Sequence, residues 1–153
     1  MPSIDIYEAV AAIMRPLPDR DPFMAANRRL SGQDREFAFE EALEQAHRDR
    51  AAFLAELRMA EEAAHETDQE YDPLLATIDA CQTAMAAAEY RMRLLVAYGR
   101  EFVRPQPYQL KDLAGAARMS VSGVRIAYDE DEVHDVIELT GAKPRRPWPL
   151  ESE

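Results

Sequence analysis

Residues 108–128 read YQLKDLAGAARMSVSGVRIAY, and this stretch decides the architecture. It predicts two short helices separated by a tight break. The first covers residues 109–117, with Leu110, Leu113 and Ala117 inward. The second covers residues 120–128, with Val124 and Ala127 inward. Ser120 suits the N-cap of the second helix, because its hydroxyl can accept an orphan backbone N–H. Met119 falls in the break, where two crossing helices need an apolar plug, and Ala114 falls at the crossing, where a small side chain lets the backbones approach. Arg118 occupies a turn position that usually holds glycine. A non-glycine residue there costs about 1 kcal/mol at positive φ, so the turn is expected to be strained or differently shaped. A second helix of this length fits the DNA major groove, its first turns toward base edges.

The run L-K-D-L-A-x-x-A-x-M-S-x-S-x-V within this stretch resembles the helix-turn-helix of lactose-repressor-type regulators and of sigma-factor-like DNA-binding modules. It is also similar to the C-terminal domain of small actinobacterial helix-turn-helix proteins. The resemblance covers about 20–30 residues, the usual extent of such a motif. It implies double-stranded DNA as partner and places Ser120, Val121, Ser122, Arg125 and Ile126 toward the groove. Arg125 is the one cation on the second helix, and its fork suits guanine O6 and N7. Arg118, Lys111 and Arg104 are better placed for phosphates. The plain alternative is a helical hairpin that binds no DNA, with Arg125 paired to Asp129 four residues on.

Upstream, residues 3–14 read as a helix that stops before Pro16 and Pro18, since proline cannot continue it. A rigid PLPDRDP connector and a short helix over residues 23–30 follow. Ser31 with Asp34 forms a capping box for a long helix over residues 33–65. Asp72-Pro73 restarts the chain as N-cap and first helical residue. Phe39, Leu43, Ala46, Arg50, Phe53, Leu57, Ala60 and Ala64 on one helix, and Leu74, Ile78, Cys81, Met85, Ala88, Met92, Leu95 and Gly99 on the other, alternate steps of four and three. That is heptad spacing. It predicts an antiparallel, coiled-coil-like hairpin in which Leu57 meets Cys81, Phe53 meets Met85 and Arg50 meets Ala88. A second alanine-rich stripe remains on each helix, and a two-helix hairpin buries too little surface alone, so a homodimer through the hairpin is expected, the alternative being that the stripe docks a different protein.

Downstream, Asp129 and Glu132 form another capping box for a third helix ending near Leu139, with Gly141 as stop. Val133, Val136 and Ile137 should pack under the motif. The tail KPRRPWP reads as extended: an ordinary flexible end, or a basic and aromatic arm crossing a DNA backbone. The expected fold is therefore all-α. A long helical hairpin for dimerisation covers residues 1–103, a three-helix helix-turn-helix module residues 104–142, and a flexible tail residues 143–153.

Charge narrows the partners. The chain carries 18 Lys and Arg against 29 Asp and Glu, a formal net charge of −11. Residues 1–99 hold 10 basic against 19 acidic side chains, whereas residues 100–150 hold 8 of each. Only the C-terminal part can approach phosphates without strong repulsion. No apolar run approaches the roughly 20 residues that span a bilayer, and the start MPSIDIYEAV lacks the basic region of a signal peptide. The single Cys81 fits a reducing cytosol, hence a cytoplasmic, nucleoid-associated location.

Enzymatic chemistry finds little purchase. Glu44-x-x-His47 and Glu62-x-x-His65 match the spacing of di-iron bundles, but they lie on one helix about 27 Å apart and cannot share a metal pair. There is no glycine-rich phosphate loop and no nucleophile beside a base. No cofactor, metal or catalytic residue is expected. The function expected is sequence-specific transcriptional regulation. The runner-up is an adaptor or scaffold that contacts the transcription machinery, such as RNA polymerase or a sigma factor, without reading DNA.

Overall fold

The computed structural model describes residues 4–148. Among them lie seven α-helices and no strand: α1 (Ile6–Met14), α2 (Arg20–Ala26), α3 (Gly32–Glu66), α4 (Pro73–Glu101), α5 (Leu110–Ala117), α6 (Val121–Arg125) and α7 (Glu130–Thr140). The fold is all-α, as the helical patterns of the sequence predict. No helix among the described residues is long and apolar enough to cross a membrane. The chain packs as two compact units, Met1–Cys81 and Gln82–Glu153, the division falling inside α4.

Local signals set the long helices of the first unit. Ser31 Oγ accepts the Asp34 N–H at 3.2 Å and donates to the Asp34 carboxylate at 2.6 Å, which starts α3. Asp68 takes a left-handed conformation (φ 54°) and the Gln69 N–H closes onto the Ala64 carbonyl at 2.8 Å, which ends it. The Asp72 carboxylate then accepts the Leu74 and Leu75 N–H groups at 2.9 and 3.0 Å, with Pro73 as first residue of α4.

The core of this unit differs from the expected hairpin seam. Leu57 is buried against Tyr7 and Val10 of α1, with Phe53, Leu54, Met14 and Tyr71 around them. Arg58 pairs with Asp5, and Arg50 Nε donates to the Arg15 carbonyl at 3.0 Å, so α1 runs antiparallel along α3. Arg50 therefore caps the C-terminus of α1, where a cation opposes the helix dipole, instead of lying along a seam. Phe23 of α2 meets Phe39 of α3 edge-on at 5.4 Å. On α4, the expected seam residues Leu74 and Ile78 are 43% and 53% exposed, while Cys81 Sγ lies 4.0 Å from Met14 Sδ. A 3-4 repeat shows that a helix has an apolar stripe without saying which helix covers it. Tyr7, Val10 and Ala11 are all buried, and Tyr7 and Val10 pack with Leu57, so α1 covers this part of the α3 stripe.

The second unit is built on the C-terminal end of α4. Val96 is buried with Ala114 and Val124, and Leu110, Leu113 and Tyr128 pack around them. Ala97 and Phe102 are buried with Val133 and Val136, beside Leu94, Ile137, Ala142 and Trp148. At Gly99 the α5 side chain Leu113 comes so close that a Cβ there would sit 3.3 Å from it; the absent side chain leaves room for Leu113 against α4. The Tyr108 N–H bonds the Gly99 carbonyl at 3.0 Å, and Arg100 donates to the Tyr108 carbonyl at 2.8 Å. The expected module boundary at 103/104 thus follows residues that are already part of this core: Val96, Ala97 and Phe102 supply the surface on which α5, α6 and α7 sit.

Candidate nucleic-acid interface

The turn between α5 and α6 forms as its sequence suggests, around a residue that is not glycine. Arg118 is left-handed (φ 52°, ψ 44°), and the Met119 N–H reaches the Ala114 carbonyl at 3.0 Å, which satisfies an end carbonyl of α5. Ser120 Oγ accepts the Gly123 N–H at 2.9 Å and caps α6. Ala114 is buried under Val124, the one α6 side chain with no exposure at all. Met119 is 37% exposed, so it is no plug; the crossing is filled by Ala114, Val124 and Val96.

The second helix is shorter than expected. α6 holds five residues, Val121–Arg125, and does not continue to Tyr128. The N–H groups of Ile126 and Ala127 bond three residues back, to the Gly123 and Val124 carbonyls, the tightened pattern of a closing last turn. Tyr128 then turns inward, its hydroxyl donating to Glu101 at 2.7 Å. The capping box of α7 follows at once. The Asp129 carboxylate accepts the Asp131 N–H at 2.9 Å, and the Glu132 carboxylate accepts the Asp129 N–H at 3.0 Å.

Ser120, Val121, Ser122, Arg125 and Ile126 are all exposed, Ile126 at 85%. Arg118, Lys111 and Arg104 are exposed as well. Arg125 makes no ion pair among the described residues; Asp129, its alternative partner, is occupied by the α7 cap. On α7, Glu132 pairs with Arg93 at 3.4 Å and Asp135 accepts from Tyr90, so these two acids are turned to α4. Glu130 and Asp131 remain exposed.

The part of this unit that sequence reasoning missed is a buried carboxylate. Glu101 is 6% exposed and accepts from Tyr128 Oη at 2.7 Å, from Arg146 Nε and Nη2 at 3.0 Å each, and from Trp148 Nε1 at 3.3 Å. Its backbone carbonyl takes the Arg145 N–H at 2.6 Å. Residues 143–148 are therefore docked, not a free end. The signal was present: a tail tryptophan between prolines, near an arginine that could match the one acid in the last turn of α4. Sequence alone could not pair them across 45 positions.

Burial pushes the Glu101 carboxyl up, but the bonds from Arg146, Tyr128 and Trp148 outweigh it and hold the group below the ordinary glutamate value of 4.5. The same arrangement pushes the Tyr128 hydroxyl well up, through burial first, the hydrogen bond to Glu101 second and the Glu101 charge third. A carboxyl depressed in the folded state adds stability that is complete above its unfolded value and is lost as pH falls through its folded value. Arg146→Ala removes the compensating charge, leaving burial to dominate and raise the carboxyl. The variant is expected to lose about 1–3 kcal/mol near neutral pH and to narrow that deficit on acidification toward about pH 4. Urea unfolding at the two pH values checks this; a deficit independent of pH would show that Glu101 is not the charge being compensated.

No known protein family, curated protein or solved structure matches the chain.

Proposed function

We propose that this protein is a sequence-specific DNA-binding transcriptional regulator, cytoplasmic and nucleoid-associated, that acts through the α5–α6 helix-turn-helix. The observation that carries the reading is the two-sided character of α6. Val124 seals one side into the core, and Ser120, Val121, Ser122, Arg125 and Ile126 stand exposed on the other with the Arg125 fork unpaired among the described residues. Arg125 reads guanine, Val121 touches a thymine methyl, and Ser122 meets a phosphate or base edge. Lys111, Arg118 and Arg104 contact phosphates. A homodimer sets two such helices on two half-sites.

A second reading keeps support from two observations. Five residues make a short reading helix, and Val121 and Ile126 offer apolar contacts that suit protein. On that reading the chain is an adaptor or scaffold whose α6 meets RNA polymerase or a sigma factor.

Arg125→Ala is expected to lose about 1–3 kcal/mol on the preferred site, found by selection from random duplexes, and little on random DNA. Lys111→Ala should weaken both alike. Specific binding untouched by Arg125→Ala would remove α6 as the base reader and favour the adaptor. Light scattering on the full chain that returns a monomer mass with and without DNA would remove the paired half-sites.

A further inference from the structure

The residues that dock the C-terminal strap leave its other cations free. Arg146 and Trp148 are consumed by Glu101, and Trp148 packs beside Val133 and Val136 and 6.4 Å from the Tyr128 ring. Lys143 and Arg145 are exposed and make no ion pair among the described residues. Arg104 joins them from the chain end of α4: its Nη2 donates to the carbonyl of Pro144, between the two, at 3.4 Å. Glu101, to which the strap is bonded, is buried and already satisfied by Arg146 and so does not neutralise the group. In the first turn of α7, Glu132 is held by Arg93 and by the Asp129 N–H.

We propose that Arg104, Lys143 and Arg145 form a second, preorganised site for the phosphodiester backbone of duplex DNA, held in place by the bonds of residues 145–148 to Glu101. It rests on the DNA-binding reading and adds to it a surface separate from α6. The strap and α6 share one anchor, because Tyr128, three residues past Arg125, bonds the same Glu101. The site carries charge and no base-reading geometry, so it supplies affinity for any sequence and leaves discrimination to α6.

The test uses the full-length chain and a fluorescent random-sequence 20-base-pair duplex across a salt series. Arg104→Gln/Lys143→Gln/Arg145→Gln is expected to weaken binding at low salt by tenfold or more. It should also flatten the dependence of log K on log salt by about 2–3, since each phosphate no longer neutralised removes about 0.9 from the slope. The emission of Trp148, the only tryptophan, should stay unchanged, since its anchors remain. If the emission moves, Lys143→Gln/Arg145→Gln, which keeps every bond that docks the strap, decides the matter with a slope lower by about 2. An unchanged slope in the deciding variant, or no duplex binding by the wild type, overturns the proposal. Arg125→Ala run in parallel separates the two ideas. A flattened slope in the strap variant with discrimination intact in Arg125→Ala keeps the strap site and removes the α6 reading. An unchanged strap slope with discrimination lost in Arg125→Ala removes the strap site alone.

Discussion

Val124→Asp is expected to unfold most of the second unit. Val124 is fully buried between Val96 and Ala114, with no cation among the residues that surround it and the one hydroxyl there, Tyr128, already donating to Glu101. An uncompensated carboxylate there costs about 3–5 kcal/mol, or the aspartate stays protonated at a comparable penalty. A unit of this size holds only about 0.05–0.15 kcal/mol per residue, so one such change removes much of its stability. The comparison is Ile126→Asp two residues on, at an 85% exposed position, which should shift stability by no more than about 0.5 kcal/mol. On the DNA reading it nonetheless abolishes binding, because it sets a negative charge against phosphate. Circular dichroism melts and duplex binding on both variants check this. Similar melts for the two would mean that the inward side of α6 is misassigned.

Leu57→Asp is the matching expectation for the first unit, again at about 3–5 kcal/mol for a buried unpaired charge. Leu57 sits among Tyr7, Val10, Phe53, Leu54, Met14 and Tyr71. The decisive comparison is Ile78→Asp, on the α4 stripe and 53% exposed, which should cost no more than about 0.5 kcal/mol. In a two-helix hairpin the pair would be damaged alike, since both positions would lie on one seam. Equal losses in urea titrations would restore α4 as the cover of the α3 stripe and displace α1 from that role.

Much of the local structure was legible in the order of residues. Ser31, Asp72, Ser120 and Asp129 start helices because each offers a side-chain oxygen to orphan N–H groups within three residues. Gly141 ends α7 in a left-handed conformation, and the break at Arg118 adopts the same conformation despite a side chain. These bonds and turns span only a few residues, so residue order nearly specifies them. The exposed face of α6 was legible for the same reason: once Val124 is inward, helical spacing turns Ser122, Arg125 and Ile126 outward. The length of α6 was not, because its end depends on Tyr128 leaving the helix for Glu101, a partner 27 residues away.

Residue order thus specifies the all-α class, the helix starts and stops, the apolar stripes and the concentration of acid in the N-terminal part. Which stripe meets which is settled only in three dimensions. A stripe of Leu, Phe and Ala gains nearly the same free energy against any apolar neighbour of suitable shape, since burial is nondirectional, and so Leu57 could be covered by α1 as well as by α4. The same holds for the tail. Whether Arg146 and Trp148 stay in water or dock depends on Glu101 being carried into the core by Ala97 and Phe102. A buried charge must find a partner, and which one it finds is settled by distance in space, not by position in the chain.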